Sequence, residues 1–227
     1  MGFTKITSLS LTDLFVQQVE NMILSGELRP GDQLPPAREL SARMGVSRPV
    51  ISAGLIELEK LGFVEIRPRQ GAFVCDYRRK GTVETLIAIM RYNGGILHTR
   101  EEYSLLDVRT ALESLCVRQV IRKATDAELD SLQIPLDALA NAGLPEDGGE
   151  AAFRFHHELA VISGNILLPL LYHSFKTASI YLWTRYCRET SCRNLYEIKL
   201  NLYRALLNRD EAAAIALTPG EFPRTID

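Results

Sequence analysis

The chain has 227 residues, 46% apolar and 24% charged, with a formal net charge of −2 at pH 7 and an isoelectric point near 6.1. That length holds one large domain or two small ones around a substantial core. The charge balance excludes a globally basic nucleic-acid binder and leaves room for a local basic patch.

In chain order, "LTDLFVQQVENMILSGEL" places Phe15, Val19, Met22 and Ile23 on one helical face and ends near Gly26. "RPGDQLPP" is a turn-rich connector, and "PARELSARMG" predicts a short helix with Ala37, Leu40 and Met44 inward and Gly45 as its stop. In "GVSRPVISAGLIELEKLG", Ser47 suits an N-cap and Pro49 a first turn, while Ile51, Leu55 and Leu58 mark a buried stripe. Gly54 costs about 1 kcal/mol against Ala in mid-helix, so close packing on a neighbouring helix is expected there. "FVEI" and "AFVC" are two short β runs flanking "RPRQG", a hairpin. Helix, helix, turn, helix and a two-stranded wing is the order of a winged helix-turn-helix, predicted over residues 1–75.

"DYRRKGT" (76–82) is read as a hinge, and residues 83–227 as an all-α bundle of six or seven helices. Within it, "EEYSLLDVRTALESLCVRQVIRKA" carries a wide apolar stripe including Leu105, Leu112 and Leu115. Thr125 and Glu128 form a capping box, and Pro135 should kink or end the helix that follows. "AGLPEDGGE" is expected to be a flexible loop. Three longer helices follow, over "AAFRFHHELAVIS", "LPLLYHSFKTASIYLWTRYCRE" and "CRNLYEIKLNLYRALLNRD", and then a short segment and a tail. The fold class is thus mainly α, with a small wing.

No run of about 18 apolar residues exists, so no membrane partner is expected. The N-terminus lacks the apolar core of a signal peptide, and a cytoplasmic location is expected. Cys75, Cys116, Cys187 and Cys192 show no metal-type CxxC pair and read as scattered structural thiols.

The second helix of a helix-turn-helix enters the major groove with its N-terminal residues at the bases. Ser47, Arg48 and Pro49 open that helix, and Arg48 can fork onto guanine edges. Arg38, on the preceding helix, is placed for a phosphate or base. From Pro36 to Ile56 three arginines (Arg38, Arg43, Arg48) face one acid, Glu39. This is a basic patch on a near-neutral chain.

"SGELRPGDQLPPARELSARMGVSRPVISAGLIELEKLGFVEIRPRQGAFV" resembles the N-terminal domain of GntR-type bacterial transcription regulators. Their pattern runs G-x-L-x-P-G-x-x-L-P, Arg-Glu-Leu, G-V-S-R, and a wing ending G-x-F-V. "LLDVRTALE" and "FHHELAVISGN" are similar to two patterns of the helical FCD-type ligand-binding domain of the FadR subfamily. The resemblance implies a homodimer on palindromic double-stranded operator DNA, with a small-molecule effector in the bundle altering DNA affinity. It carries DNA contact to Arg38, Ser47, Arg48 and the wing residues Arg69, Gln70 and Gly71. The chain departs from the family twice: Ser52 stands where the recognition helix usually has Arg, and Arg69 where the wing usually has Gly.

Many members of this subfamily hold a divalent metal with an Asp, a His four residues later and two further His. His156 matches the first His, but Ala152 stands at the Asp position, Lys199 at the next His, and the tail "ALTPGEFPRTID" has no His. No metal and no cofactor are therefore expected. His157 is rotated about 100° from His156 on the same helix and cannot share its face. The expected effector is a small organic acid or acyl thioester, with Arg109, His156, Trp183, Lys199 and Tyr203 as candidate contacts. The alternative is a DNA-binding protein whose helical domain only dimerises. No nucleophile–base pair or phosphate loop stands at a spacing that would suggest an enzyme.

Overall fold

The computed structural model describes residues 10–96 and 99–218. The chain forms two compact units, Met1–Ile89 and Met90–Asp227.

The first unit opens with α1 (Leu11–Leu24), fixed by a reciprocal capping box. Asp13 N donates to Ser10 Oγ at 3.1 Å, and Ser10 N donates to Asp13 Oδ2 at 3.0 Å. Then come α2 (Ala37–Met44), α3 (Arg48–Lys60), β1 (Val64–Arg67), β2 (Gly71–Val74), α4 (Tyr77–Lys80) and α5 (Val83–Arg91). Gly45 ends α2 in the left-handed region at φ 66°, a conformation that costs Gly nothing. The strands pair antiparallel from Val64↔Val74 to Arg67↔Gly71. Phe15, Val19, Ile23, Ile51, Leu58, Phe63 and Val74 form the core. Gly54 is where α1 meets α3: a methyl group there would lie 2.2 Å from Phe15 Cδ1.

The division between units falls later than the hinge expected at 76–82. Tyr77 packs on the first core and against Phe63. Lys80 Nζ reaches Glu65 Oε2 at 2.9 Å, and the Thr85 hydroxyl donates to Leu61 O. These contacts tie 76–89 to the winged unit.

The second unit begins with a 3-10 turn (Tyr92–Gly95) and continues with α6 (Thr99–Lys123), α7 (Asp126–Asp130), α8 (Gln133–Ala140) and α9 (Pro145–Ile162). It ends with α10 (Leu168–Ser174), α11 (Lys176–Glu189), α12 (Cys192–Leu207) and α13 (Glu211–Ala216). Helix α9 runs through the core, where Phe155 and Leu159 meet Val117, Val120, Leu132 and Leu202. The unit is all-α among the described residues, as expected, but more finely divided than six or seven helices. Among the described residues nine α-helices follow Thr82, because the chain breaks at Ser131–Leu132, just ahead of Pro135, and at Phe175 (φ −94°, ψ 4°) within a pattern that read as continuous. Pro135 is accommodated in the first turn of α8, which needs no amide donor. Leu115, read as part of the wide apolar stripe, is 38% exposed.

The expected loop "AGLPEDGGE" is in large part helix: α9 starts at Pro145 and carries Gly148 and Gly149 buried inside it. A methyl group at Gly149 would lie 2.2 Å from Thr184 Oγ1, 2.8 Å from Ile180 O and 3.0 Å from Thr184 N. The glycine pair is thus the surface on which α9 approaches α11.

Gly149→Ala should destabilise the protein. The backbone of α11 cannot yield, and overpacking of about 1–3 kcal/mol outweighs the gain in helix propensity. Thermal melts check this, with Gly143→Ala as control, since no atom lies within 4 Å of a methyl group there. A melting temperature for Gly149→Ala at or above that of the parent contradicts the assignment.

Candidate nucleic-acid interface and effector site

Arg38, Ser47, Arg48, Pro49, Arg69, Gln70 and Gly71 are all exposed on the first unit. Ser47 occupies the N-cap of α3 (φ −72°, ψ 153°), yet its hydroxyl makes no capping hydrogen bond. Pro49, in the first turn, removes an amide that would have no partner in the helix. The α3 entry is held instead from behind, by Ser41 Oγ donating to Val46 O at 2.6 Å.

The wing is braced on both strands. Ile66 N donates to Glu59 Oε1 at 2.7 Å, Gln33 Nε2 donates to Gln70 O at 2.6 Å, and the Arg67 guanidinium lies 4.5 Å from the centroid of the Phe73 ring. At its tip Gln70 N donates to Arg67 O at 3.0 Å, closing a turn with Pro68 second and Arg69 third. Arg69 has φ 64°. This is the left-handed position that a Pro-led turn normally gives to Gly, so the departure noted in the sequence carries backbone strain.

Four of the five candidate effector residues come together in the second unit. Trp183 on α11 is fully buried. The His156 ring from α9 stacks on it, with centroids 4.8 Å apart and planes 14° off parallel. Arg109 Cζ from α6 lies 4.1 Å from the indole centroid, and Lys199 Nζ from α12 lies 5.6 Å from it. His156 Nδ1 is 3.2 Å from Glu113 Oε1. Tyr203 is separated from this group in its polar contact: its hydroxyl accepts from Gln133 Nε2 at 3.0 Å. The residue outside the candidate set is Glu113, one turn beyond Arg109 on α6; its i, i+4 spacing from Arg109 is the signal the sequence holds for it.

Burial governs the electrostatics of this cluster. It pushes the Glu113 carboxyl up, opposed by Lys199 and Arg109. It holds the His156 imidazole well below its ordinary range, with Lys199 and Arg109 adding to the effect, so the ring is neutral. Burial also brings the Lys199 amine down to about 7, with Glu113 opposing and Arg109 reinforcing. Arg109 is lowered by burial as well but stays charged, as guanidinium does in proteins. Among the described residues, no group of three or more His, Cys, Asp or Glu side chains could hold a metal. Ala152, at the position of the family's Asp, is a buried core residue. The residues present therefore do not fit the family's metal. His157 and His173 form a separate pair, 5.9 Å between ring centroids, with Phe153 against both.

The Lys199 shift fixes a pH dependence. In the unfolded chain the amine holds its proton up to about 10.5, and in the folded chain only to about 7. Folding therefore releases a proton between these values, and this contribution to stability rises with pH across that window. Lys199→Met should be more stable than the parent at pH 7, by a margin that shrinks towards pH 8.5. Urea midpoints at the two pH values test it; a margin that is constant or grows contradicts the buried-amine account.

Comparison with known proteins follows the two units. Residues 12–74 match the family model "Bacterial regulatory proteins, gntR family", and residues 104–218 match the FCD domain. The HTH-type transcriptional regulator LutR of Bacillus subtilis (strain 168) is 31% identical over 208 residues, covering 86% of this chain and 90% of LutR. The HTH-type transcriptional repressor NanR of Citrobacter rodentium is 29% identical, covering 71% of this chain and 62% of NanR. Among solved structures, one described as Lar, which controls expression of the Listeria monocytogenes agr system, shares the fold with a TM-score of 0.62 at 14% identity, covering 94% of this chain and 93% of that one. The relatives are named as transcriptional regulators and not as enzymes. The chain belongs to the GntR family of bacterial transcription regulators, in the FadR-like subfamily that carries an FCD domain.

Proposed function

We propose that this regulator is a homodimeric repressor that binds operator DNA in the cytoplasm and alters its operator affinity when a small organic acid or acyl thioester enters the FCD unit. The observation that carries the effector reading is the burial of Arg109, Glu113, His156 and Lys199 around Trp183. Ionic groups in a helical core cost stability that apolar residues of similar volume would not, so their presence calls for a function. Guanidinium and ammonium offer donors and no acceptors, which suits a carboxylate, and the indole supplies an apolar wall for the rest of the molecule. The similarity to a named repressor, NanR, supports the direction of control.

On the DNA side, Arg48 is the proposed base reader. Ser47 and the first amides of α3 take phosphate together with Arg38, and Pro49 shapes the helix entry. Arg69, Gln70 and Gly71 contact DNA from the wing. A non-glycine residue at φ 64° is held at a cost of about 1–2 kcal/mol. An arginine kept there despite that cost supports a role in binding.

Arg48→Ala should weaken binding to an operator recovered by in vitro selection at least tenfold, while binding to unrelated DNA changes little. Arg38→Ala should weaken all sequences alike and lower the salt slope by about 1. Arg69→Gly should raise the melting temperature and weaken DNA binding together, a combination that a purely structural residue would not give. Salt-titrated fluorescence anisotropy and thermal melts read all three. Full operator affinity in Arg48→Ala would overturn the reader assignment.

A further inference from the structure

The four cysteines, scattered in the sequence, are not all apart in the fold. Cys75 is buried after the wing and Cys116 in α6. Cys187, in the last turn of α11, and Cys192, the first residue of α12, lie against the same point of α9. A methyl group at Gly148 would sit 2.6 Å from Cys192 Sγ and 2.8 Å from Cys187 Sγ. The absence of a side chain at Gly148 makes room for the two sulfurs. Cys187 is buried and Cys192 half-buried, and Cys192 Sγ reaches Leu144 O at 3.6 Å.

We propose that Cys187 and Cys192 are a dithiol modification site, which hydrogen peroxide converts to an intramolecular disulfide. The two thiols have different roles. Cys192 is the accessible one, half-buried at the start of a 16-residue helix. Burial, with Cys192 beside it, pushes the Cys187 thiol up to about 12, so Cys187 stays protonated and acts second. In the first step the Cys192 sulfur attacks one peroxide oxygen. The O–O bond breaks, a sulfenic acid forms, and the other oxygen leaves as water with the thiol proton. In the second step the Cys187 sulfur attacks the sulfenic sulfur. The S–O bond breaks, and that oxygen leaves as a second water with the Cys187 proton. The two thiols are oxidised by two electrons, and the peroxide is reduced to two waters.

The bond would tether the end of α11 to the start of α12. Trp183 lies one turn before Cys187 on α11, and both belong to one packed cluster with Leu195 of α12. Lys199 follows on α12. The chain's single tryptophan therefore reports the event.

The test uses the full-length protein. It is treated with a small excess of hydrogen peroxide at neutral pH, alkylated in denaturant, and then weighed and peptide-mapped. The expected result is the loss of two of the four thiols and of two hydrogens in mass, with a Cys187–Cys192 cross-linked peptide that dithiothreitol releases. Trp183 emission should shift in the parent and not in Cys192→Ser. In Cys187→Ala, Cys192 should stop at a sulfenic acid that dimedone captures. Four alkylated thiols, a Cys192 oxidised to sulfinic acid beside a reduced Cys187, or a cross-link through Cys75 or Cys116 would each overturn the proposal. The peptide map of the parent decides the point even if a variant fails to fold.

Discussion

The second unit is organised around the cost of keeping charge inside a helical core. Arg109, Glu113, His156 and Lys199 surround Trp183 with almost no solvent exposure, and they come from α6, α9 and α12 while the indole comes from α11. An arrangement of this kind survives only if each helix is positioned tightly, because a small displacement leaves an ion without its neighbours in a low-dielectric interior. The glycine pair of α9 meets that requirement. By dispensing with two side chains it lets α9 lie directly against α11, which brings the His156 ring onto the indole. Burial then sets the protonation states. The imidazole is kept neutral and the lysine amine sits near 7, so the charge of the cluster responds to whatever approaches it. An anion would favour the protonated amine, and its binding would take up protons at neutral pH.

The first unit solves a different problem. It is small, and it must present polar and basic side chains outward from a rigid frame. Its rigidity comes from short-range devices: the capping box on α1, the left-handed Gly45, the Phe15 ring seated on Gly54, and the wing clamped by Glu59 and Gln33. The groups offered to solvent are the ones these devices leave alone. The Ser47 hydroxyl makes no capping hydrogen bond, and Arg69 stands in strained backbone at the wing tip. Stability in this unit is concentrated behind the face that carries the basic residues.

Much of this was legible in the sequence where the causes are local. Caps, turn residues and the period of apolar positions gave the winged module its elements, and Gly54 announced close packing by its cost alone. What was not legible has one physical origin: a residue's meaning changes with a partner distant in the chain. Gly148 and Gly149 carry the composition of a loop, and only Thr184, Ile180, Cys187 and Cys192 make them a packing surface. Glu113 at helical spacing from Arg109 looks like a solvated pair until α9 and α12 enclose it. Tyr203 shares a helix face with Lys199, yet its hydroxyl turns to Gln133. The residues at 76–82, charged and short, read as a hinge because nothing local reveals that Tyr77, Lys80 and Thr85 have partners in the winged unit. The helix break at Phe175 carries no Gly or Pro to mark it.

The measurement that tests the central claim most directly is a titration of Trp183 fluorescence with a series of small carboxylic acids, each paired with its uncharged amide. If the buried cluster recognises an anionic effector, at least one acid gives a saturable change, its amide gives none, and the Arg109→Ala protein loses the response. If no acid in the series perturbs the indole, or if acids and amides act alike, the cluster is a structural feature of the FCD fold and the effector assignment fails.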